Sequence, residues 1–108
     1  MKSTTLFLLA ACVLSAEAFG GWIDVTLFEN GKPLADRNIQ ITCGTEVLAP
    51  VTQDSWGVWR FFTRHEGTCE FQLLDPVPLS HKIYSYRDPI RYDFDLIRQD
   101  GGHLLRRR

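Results

Sequence analysis

From Trp22 onward the chain alternates apolar and polar positions in short runs broken by Gly, Pro, Asn and Asp. Trp22–Phe28 sets Ile23, Val25 and Leu27 against Asp24 and Thr26, and Asn38–Cys43 puts Ile39, Ile41 and Cys43 on one row. Ile90–Arg98 places Ile90, Tyr92, Phe94 and Leu96 opposite Arg91, Asp93 and Asp95. A period of two is that of strands with one buried face. Between Val58 and Leu73 two such runs flank Thr63–Gly67, which reads as a hairpin. In its first arm Arg60 is costly to bury, so Trp59 and Phe61 point inward and Val58, Arg60 and Phe62 outward. In its second arm Cys69, Phe71 and Leu73 share the inward row. Glu46–Val51 reads as an edge strand interrupted by Pro50; Ile83–Tyr86 and His103–Arg106 complete the set. No stretch after the first eighteen residues keeps helical spacing over three turns, and strands recur about every ten residues. The pattern predicts an all-β protein, a seven- to eight-stranded antiparallel Greek-key sandwich.

The punctuation has its own chemistry. Asn30-Gly31 is a strong turn signal because both residues tolerate positive φ, and Pro33 stops the ladder from resuming at once. Gly44-Thr45 ends the strand that carries Cys43. In Thr52–Gly57, Asp54 is placed to cap the backbone two residues on, and Gly57 is free to turn left-handed. Asp75-Pro76-Val77-Pro78 lacks two backbone donors and reads as a crossing between sheets. Asp88-Pro89 is a second stiff break, and Asp100-Gly101-Gly102 turns the chain into its last strand.

Residues 1–18 read as an address. A cationic start at Lys2, an apolar core from Leu6 to Leu14, and the small residues of Ala16-Glu17-Ala18 predict a signal peptide cleaved after Ala18, leaving residues 19–108 as one β-sandwich domain. Leu9-Ala10-Ala11-Cys12 is the alternative, a lipobox that places a lipid on Cys12. No second apolar run is long enough to span a bilayer. Removing the leader deletes Cys12 and leaves Cys43 and Cys69, an even pair on inward rows, which an oxidising compartment favours as a disulfide, expected to run through the core and join the two sheets. Closing that loop stabilises the fold by about 3.5 kcal/mol on the chain-entropy model.

Charge narrows the partners. A net charge of -1 gives no whole-protein attraction to nucleic acid or to an anionic membrane. Arg106-Arg107-Arg108 is a local exception and reads as a solvated tail. His65, His81 and His103 lie in separate turns or strands, and neither Cys43 nor Cys69 has a Cys or His two to four residues away, so no metal site and no cofactor are expected. Ser80 and His81 are neighbours on a strand and point to opposite faces, which makes a poor nucleophile and base pair. Asp93 and Asp95 share an outward row with Arg91, as charges do on a solvated sheet face. The residues left over are aromatic: Trp22, Trp56, Tyr84 and Tyr86 are the candidates for an exposed binding surface.

Val25–Ile41, Thr52–Phe61 and Gly67–Leu73 together resemble the carboxypeptidase regulatory-like domains of the transthyretin-like group. Those domains run strand, Gly-x-Pro, polar turn, strand, Thr-Asp-x-x-Gly-x-aromatic and Gly-x-aromatic-x-aliphatic. The resemblance covers residues 22–98. It implies a transthyretin/prealbumin-like sandwich, an immunoglobulin-like one being the alternative, and a role as an accessory, adhesion or binding module rather than an enzyme. The hydrolases of that group carry a histidine near their start and a Tyr-Arg-Gly-Ser end, and this chain has neither. The expectation is a non-catalytic exported module, periplasmic or secreted, that binds a protein or cell-envelope component. A carbohydrate-binding module using the exposed aromatics is the first alternative, and a small transthyretin-like hydrolase the last.

Overall fold

The computed structural model describes residues 21–75 and 77–108, so the leader, Ala18 and Cys12 lie outside the described residues. Ten strands follow one another without a helix among the described residues: β1 (Gly21–Glu29), β2 (Lys32–Pro33), β3 (Ile39–Cys43), β4 (Glu46–Leu48), β5 (Thr52–Gln53), β6 (Val58–Thr63), β7 (Gly67–Leu73), β8 (Leu79–Ser85), β9 (Ile90–Gln99) and β10 (Gly102–Arg107). They form two sheets. One runs β10-β9-β1-β6-β5 with β2 hung on β1; the other runs β4-β3-β7-β8. The two extra strands beyond the expected eight are the two-residue β2 and β5.

The core forms where the apolar rows of the two sheets meet. Ile23, Val25, Leu27, Trp59, Phe61, Tyr92, Phe94 and Leu96 from the larger sheet face Ile39, Ile41, Cys43, Cys69, Phe71, Leu73 and Ile83 from the smaller. Phe71 and Phe94 stack across the interface with centroids 5.0 Å apart and planes 5° from parallel. Burying each of these rings stabilises the domain by about 1.5–3 kcal/mol. The inward choice of Trp59 and Phe61 holds, and Arg60 stands outside.

Several expectations are corrected. Val58–Leu73 is not a hairpin: β6 belongs to the larger sheet and β7 to the smaller, so Arg64–Glu66 crosses the sandwich. Thr63 drives that turn. It ends β6 opposite Gly21, while its hydroxyl donates to Glu46 Oε1 at 2.8 Å and accepts from the His65 N–H at 3.0 Å. Conversely, the proline-rich segment after Leu73 joins two neighbours of one sheet, because β7 and β8 pair in register from Leu73↔Leu79 to Gly67↔Ser85. That pairing also starts β8 at Leu79 rather than Ile83.

Cys43 and Cys69 are bonded, but within one sheet rather than between two. The register that sets Ile41 against Phe71 and Thr42 against Glu70 puts the two cysteines directly opposite each other, 4.4 Å apart at Cα. That spacing is the close, non-hydrogen-bonded kind of antiparallel pair. The sheets are also not purely antiparallel, since β1 and β9 run parallel with Val25 beside Tyr92. Omitting β2 and β5, the first strand lies in one sheet and the second in the other, whereas an immunoglobulin sandwich keeps its first two strands together. The immunoglobulin-like alternative is therefore set aside. Finally, Arg106 and Arg107 are residues of β10 rather than of a tail.

Candidate functional site

Tyr84 lies in β8 and Tyr86 just past its end, and Ile83 and Ser85 beside them are buried while both tyrosines are exposed at this end of the smaller sheet. The rings stack with centroids 5.8 Å apart and planes 25° from parallel, and nearly half of each residue is exposed. The backbone beneath is held from two directions. Tyr92 in β9 sends its hydroxyl to the outer edge of β8, accepting from the Tyr84 N–H at 2.8 Å and donating to the Tyr84 carbonyl at 2.9 Å. Gly21 packs so closely on the Tyr86 carbonyl that any Cβ there would collide with it. Thr68, opposite Tyr84, adjoins disulfide-bonded Cys69.

Beside the two rings lies a shallow concavity lined by Glu66, Arg87 and Asp88, with Arg87 Nε 3.8 Å from Glu66 Oε1. Away from it the sheet face carries opposed pairs, Thr68 with Tyr84, Glu70 with Lys82 and Gln72 with Ser80. On the adjoining β3, Gln40 Nε2 and the Thr42 hydroxyl both donate to Gln72 Oε1 at 2.8 Å. This face is thus largely amide and hydroxyl, bordered by two aromatic rings.

The other two aromatic candidates stand elsewhere. Trp22 projects from β1 on the outer face of the larger sheet, 39% exposed, and leans on Phe62 with centroids 4.9 Å apart. The Arg60 guanidinium lies 5.8 Å over its ring and is fixed by Asp24 through contacts of 2.9 and 3.2 Å. The hydrogen bond and the charge of Asp24 hold Arg60 above the ordinary arginine pKa. Trp56 sits at the tip of the β5–β6 turn, 77% exposed. There Asp54 Oδ1 accepts from the N–H groups of Trp56 at 2.9 Å and Val58 at 3.0 Å, the local cap that the sequence predicts. Trp22 pairs with Phe62 at the far end of β6 from Trp56, roughly 20 Å away at strand rise. The structure brings together Tyr84 and Tyr86, and puts Trp22 on the outer face of the other sheet and Trp56 at the β5–β6 turn. Their aromatic character marked both tyrosines as candidates; Phe62 beside Trp22 and Glu66 beside Tyr86 depend on strand pairing, which the sequence pattern does not reveal.

The titratable residues are spread out. His81 faces inward against Phe94 with centroids 5.0 Å apart, while its neighbour Ser80 is exposed on the other face. His65 lies in the β6–β7 crossing, and His103 at the opposite end of the sandwich on β10. Among the described residues no group of three His, Cys, Asp or Glu side chains is placed to hold a metal ion. On the outer face of the larger sheet Arg91 Nε lies 3.1 Å from Asp93. Asp95 meets Arg108 at 3.3 Å and Arg106 at 3.8 Å, so the terminal arginines neutralise this carboxylate. Arg107 lies instead over the Tyr92 ring, 4.6 Å from its centroid. Thr26, expected to face solvent, is 1% exposed beneath Arg91, which donates to its hydroxyl at 3.4 Å.

No protein-family model matches the chain, and no curated protein does. Among solved structures, the chain is similar to a "putative cell adhesion protein" from Bacteroides fragilis at 9% identity and a TM-score of 0.43. The match covers 82% of this chain and 44% of that one, so the chain spans less than half the length of its structural neighbour. A likeness this remote carries no argument about function. Among the described residues no helix is long and apolar enough to cross a membrane.

Proposed function

We propose that the protein is a non-catalytic, exported β-sandwich module that binds a protein or cell-envelope component. The observation that carries this reading is the exposure of Trp22, Trp56, Tyr84 and Tyr86 on strands and a hydrogen-bonded turn. Large aromatics on a rigid support give contact area at low entropic cost, which is what binding surfaces use. Export fits the Cys43–Cys69 disulfide, which persists in oxidising compartments, and places the mature domain in the periplasm or outside the cell. The reading includes cleavage after Ala18, with acylated Cys12 as the alternative. It also keeps the resemblance to carboxypeptidase regulatory-like domains, supported by the two-sheet division and by the turns at Asn30-Gly31 and Asp54–Gly57.

The test is capture from an envelope extract by residues 19–108, in parallel with the Trp22→Ala/Trp56→Ala/Tyr84→Ala/Tyr86→Ala variant. Capture by the parent and loss in the variant is the expected result; equal capture by both removes the basis of the reading. Intact-mass measurement of the exported chain distinguishes a first residue of Phe19 from a lipid on Cys12.

A further inference from the structure

We infer that the Tyr84–Tyr86 end of the smaller sheet is a binding site for a neutral polysaccharide. The inference rests on the binding-module reading and names its site and ligand class. The two rings stack on each other, so each turns one face to its neighbour while nearly half of each residue stays open to a ligand. The C–H groups on the apolar face of a pyranose are complementary to the exposed aromatic surface of such a pair.

Beside the rings, the shallow concavity supplies what sugar hydroxyls need. Glu66 and Asp88 are acceptors and Arg87 is a planar multiple donor. These three residues sum to a charge of -1, from two acids and one base, which opposes sulfated, uronic or phosphodiester polymers. Along the sheet the next polar groups are hydroxyls and amides, Thr68, Ser80, Gln72 and Gln40, while Glu70 and Lys82 face each other and cancel. A surface of hydroxyls, amides and aromatic faces with little net charge matches a polymer of hydroxyls and C–H faces that carries none. The outer face of the larger sheet is different: beside Trp22 it carries the ion pairs of Arg60 with Asp24, Arg91 with Asp93 and Arg108 with Asp95.

The site is also preorganised. Tyr92 locks the Tyr84 backbone, Gly21 abuts the Tyr86 carbonyl, and the disulfide ties β7 to β3 next to Thr68. Little ordering remains to be done when a ligand arrives, which favours affinity from a small contact area.

Affinity electrophoresis of residues 19–108 tests it, in gels containing hydroxyethylcellulose or glucomannan as neutral polymers and polygalacturonate as an anionic one. A neutral polymer is expected to retard the parent protein. Tyr84→Ala and Tyr86→Ala are each expected to weaken that retardation about tenfold, and Val47→Ala, an exposed position on β4 at the far edge of the same sheet, to leave it unchanged. Thermal melts of the tyrosine variants are read alongside, and unchanged midpoints assign the loss to binding. Retardation by polygalacturonate alone, by no polymer, or equally in parent and tyrosine variants overturns the inference. If the envelope capture depends on Tyr84 and Tyr86 but survives removal of polysaccharide from the extract, the ligand is a protein; the glycan assignment then fails while the binding-module reading stands.

Discussion

The hydroxyl of Tyr92 is bonded to both backbone polar groups of Tyr84, across the gap between the two sheets. Strand β8 is the edge of its sheet, and an edge carries unpaired donors and acceptors that invite another strand. Near the end of this edge the invitation is closed by a side chain. Next to it the Lys82 carbonyl lies 2.8 Å from His81 Nδ1, a second side-chain contact on the same strand.

Tyr92→Phe keeps the ring in the core and deletes only the hydroxyl. The expected result is a loss of about 1–3 kcal/mol in urea unfolding, because a partly buried N–H and C=O lose their partner. Sedimentation velocity is expected to show more self-association than in the parent. An unchanged midpoint together with a monomer would mean that water replaces the hydroxyl at no cost.

Removing the disulfide, by reduction or as Cys43→Ser/Cys69→Ser, is expected to lower stability by about 2–4 kcal/mol. Because the bond joins neighbours in one sheet, the two sheets stay packed and unfolding stays cooperative. Hydrogen exchange reads the difference: amides of β3 and β7 near the bond lose protection first, while those of β1 and β9 keep theirs. Simultaneous loss across both sheets would contradict this.

Phe71 and Phe94 are both fully buried and stack on each other between the sheets. Phe94→Ala is expected to cost about 3–5 kcal/mol, a large part of what a domain of this size has. The double variant is expected to cost less than the sum of the singles, since each truncation removes the partner of the other. Denaturant titration of all three proteins gives the coupling directly.

Asp54 and Gly57 hold the Trp56 turn. Gly57 has φ of 85°, and a Cβ there would come to 3.2 Å from that of Pro33. Gly57→Ala is expected to destabilise the fold by about 1–2 kcal/mol. Asp54→Ala removes the acceptor shared by the N–H groups of Trp56 and Val58, and is expected to raise the nanosecond mobility of both amides in 15N relaxation while leaving the sheet amides unchanged.

Much of this molecule is local in origin. Period-two alternation placed Ile23, Val25 and Leu27, then Tyr92, Phe94 and Leu96, on buried rows, because a strand offers each side chain one of only two faces. Turn chemistry marked Asn30-Gly31 and Asp54–Gly57 because it involves atoms a few residues apart. Aromatic character alone marked Tyr84 and Tyr86 as candidates.

What lay beyond the sequence was which strand sits beside which. Whether Arg64–Glu66 or the segment after Leu73 crosses the sandwich is set by Thr63 pairing with Gly21 and bonding Glu46, contacts between residues distant in the chain. The same applies to the disulfide: alternation made both cysteines inward and neighbourly, but inward rows of one sheet and of two sheets look identical in sequence. Tyr92 reads as an ordinary core ring until the fold sets its hydroxyl against Tyr84. The chain by itself determined strands, turns and buried faces, which depend on short-range sterics and on removing apolar surface from water. Only the tertiary structure decided partners across the gap between sheets, and with them the location of the aromatic pair, because those contacts exist only after distant strands meet.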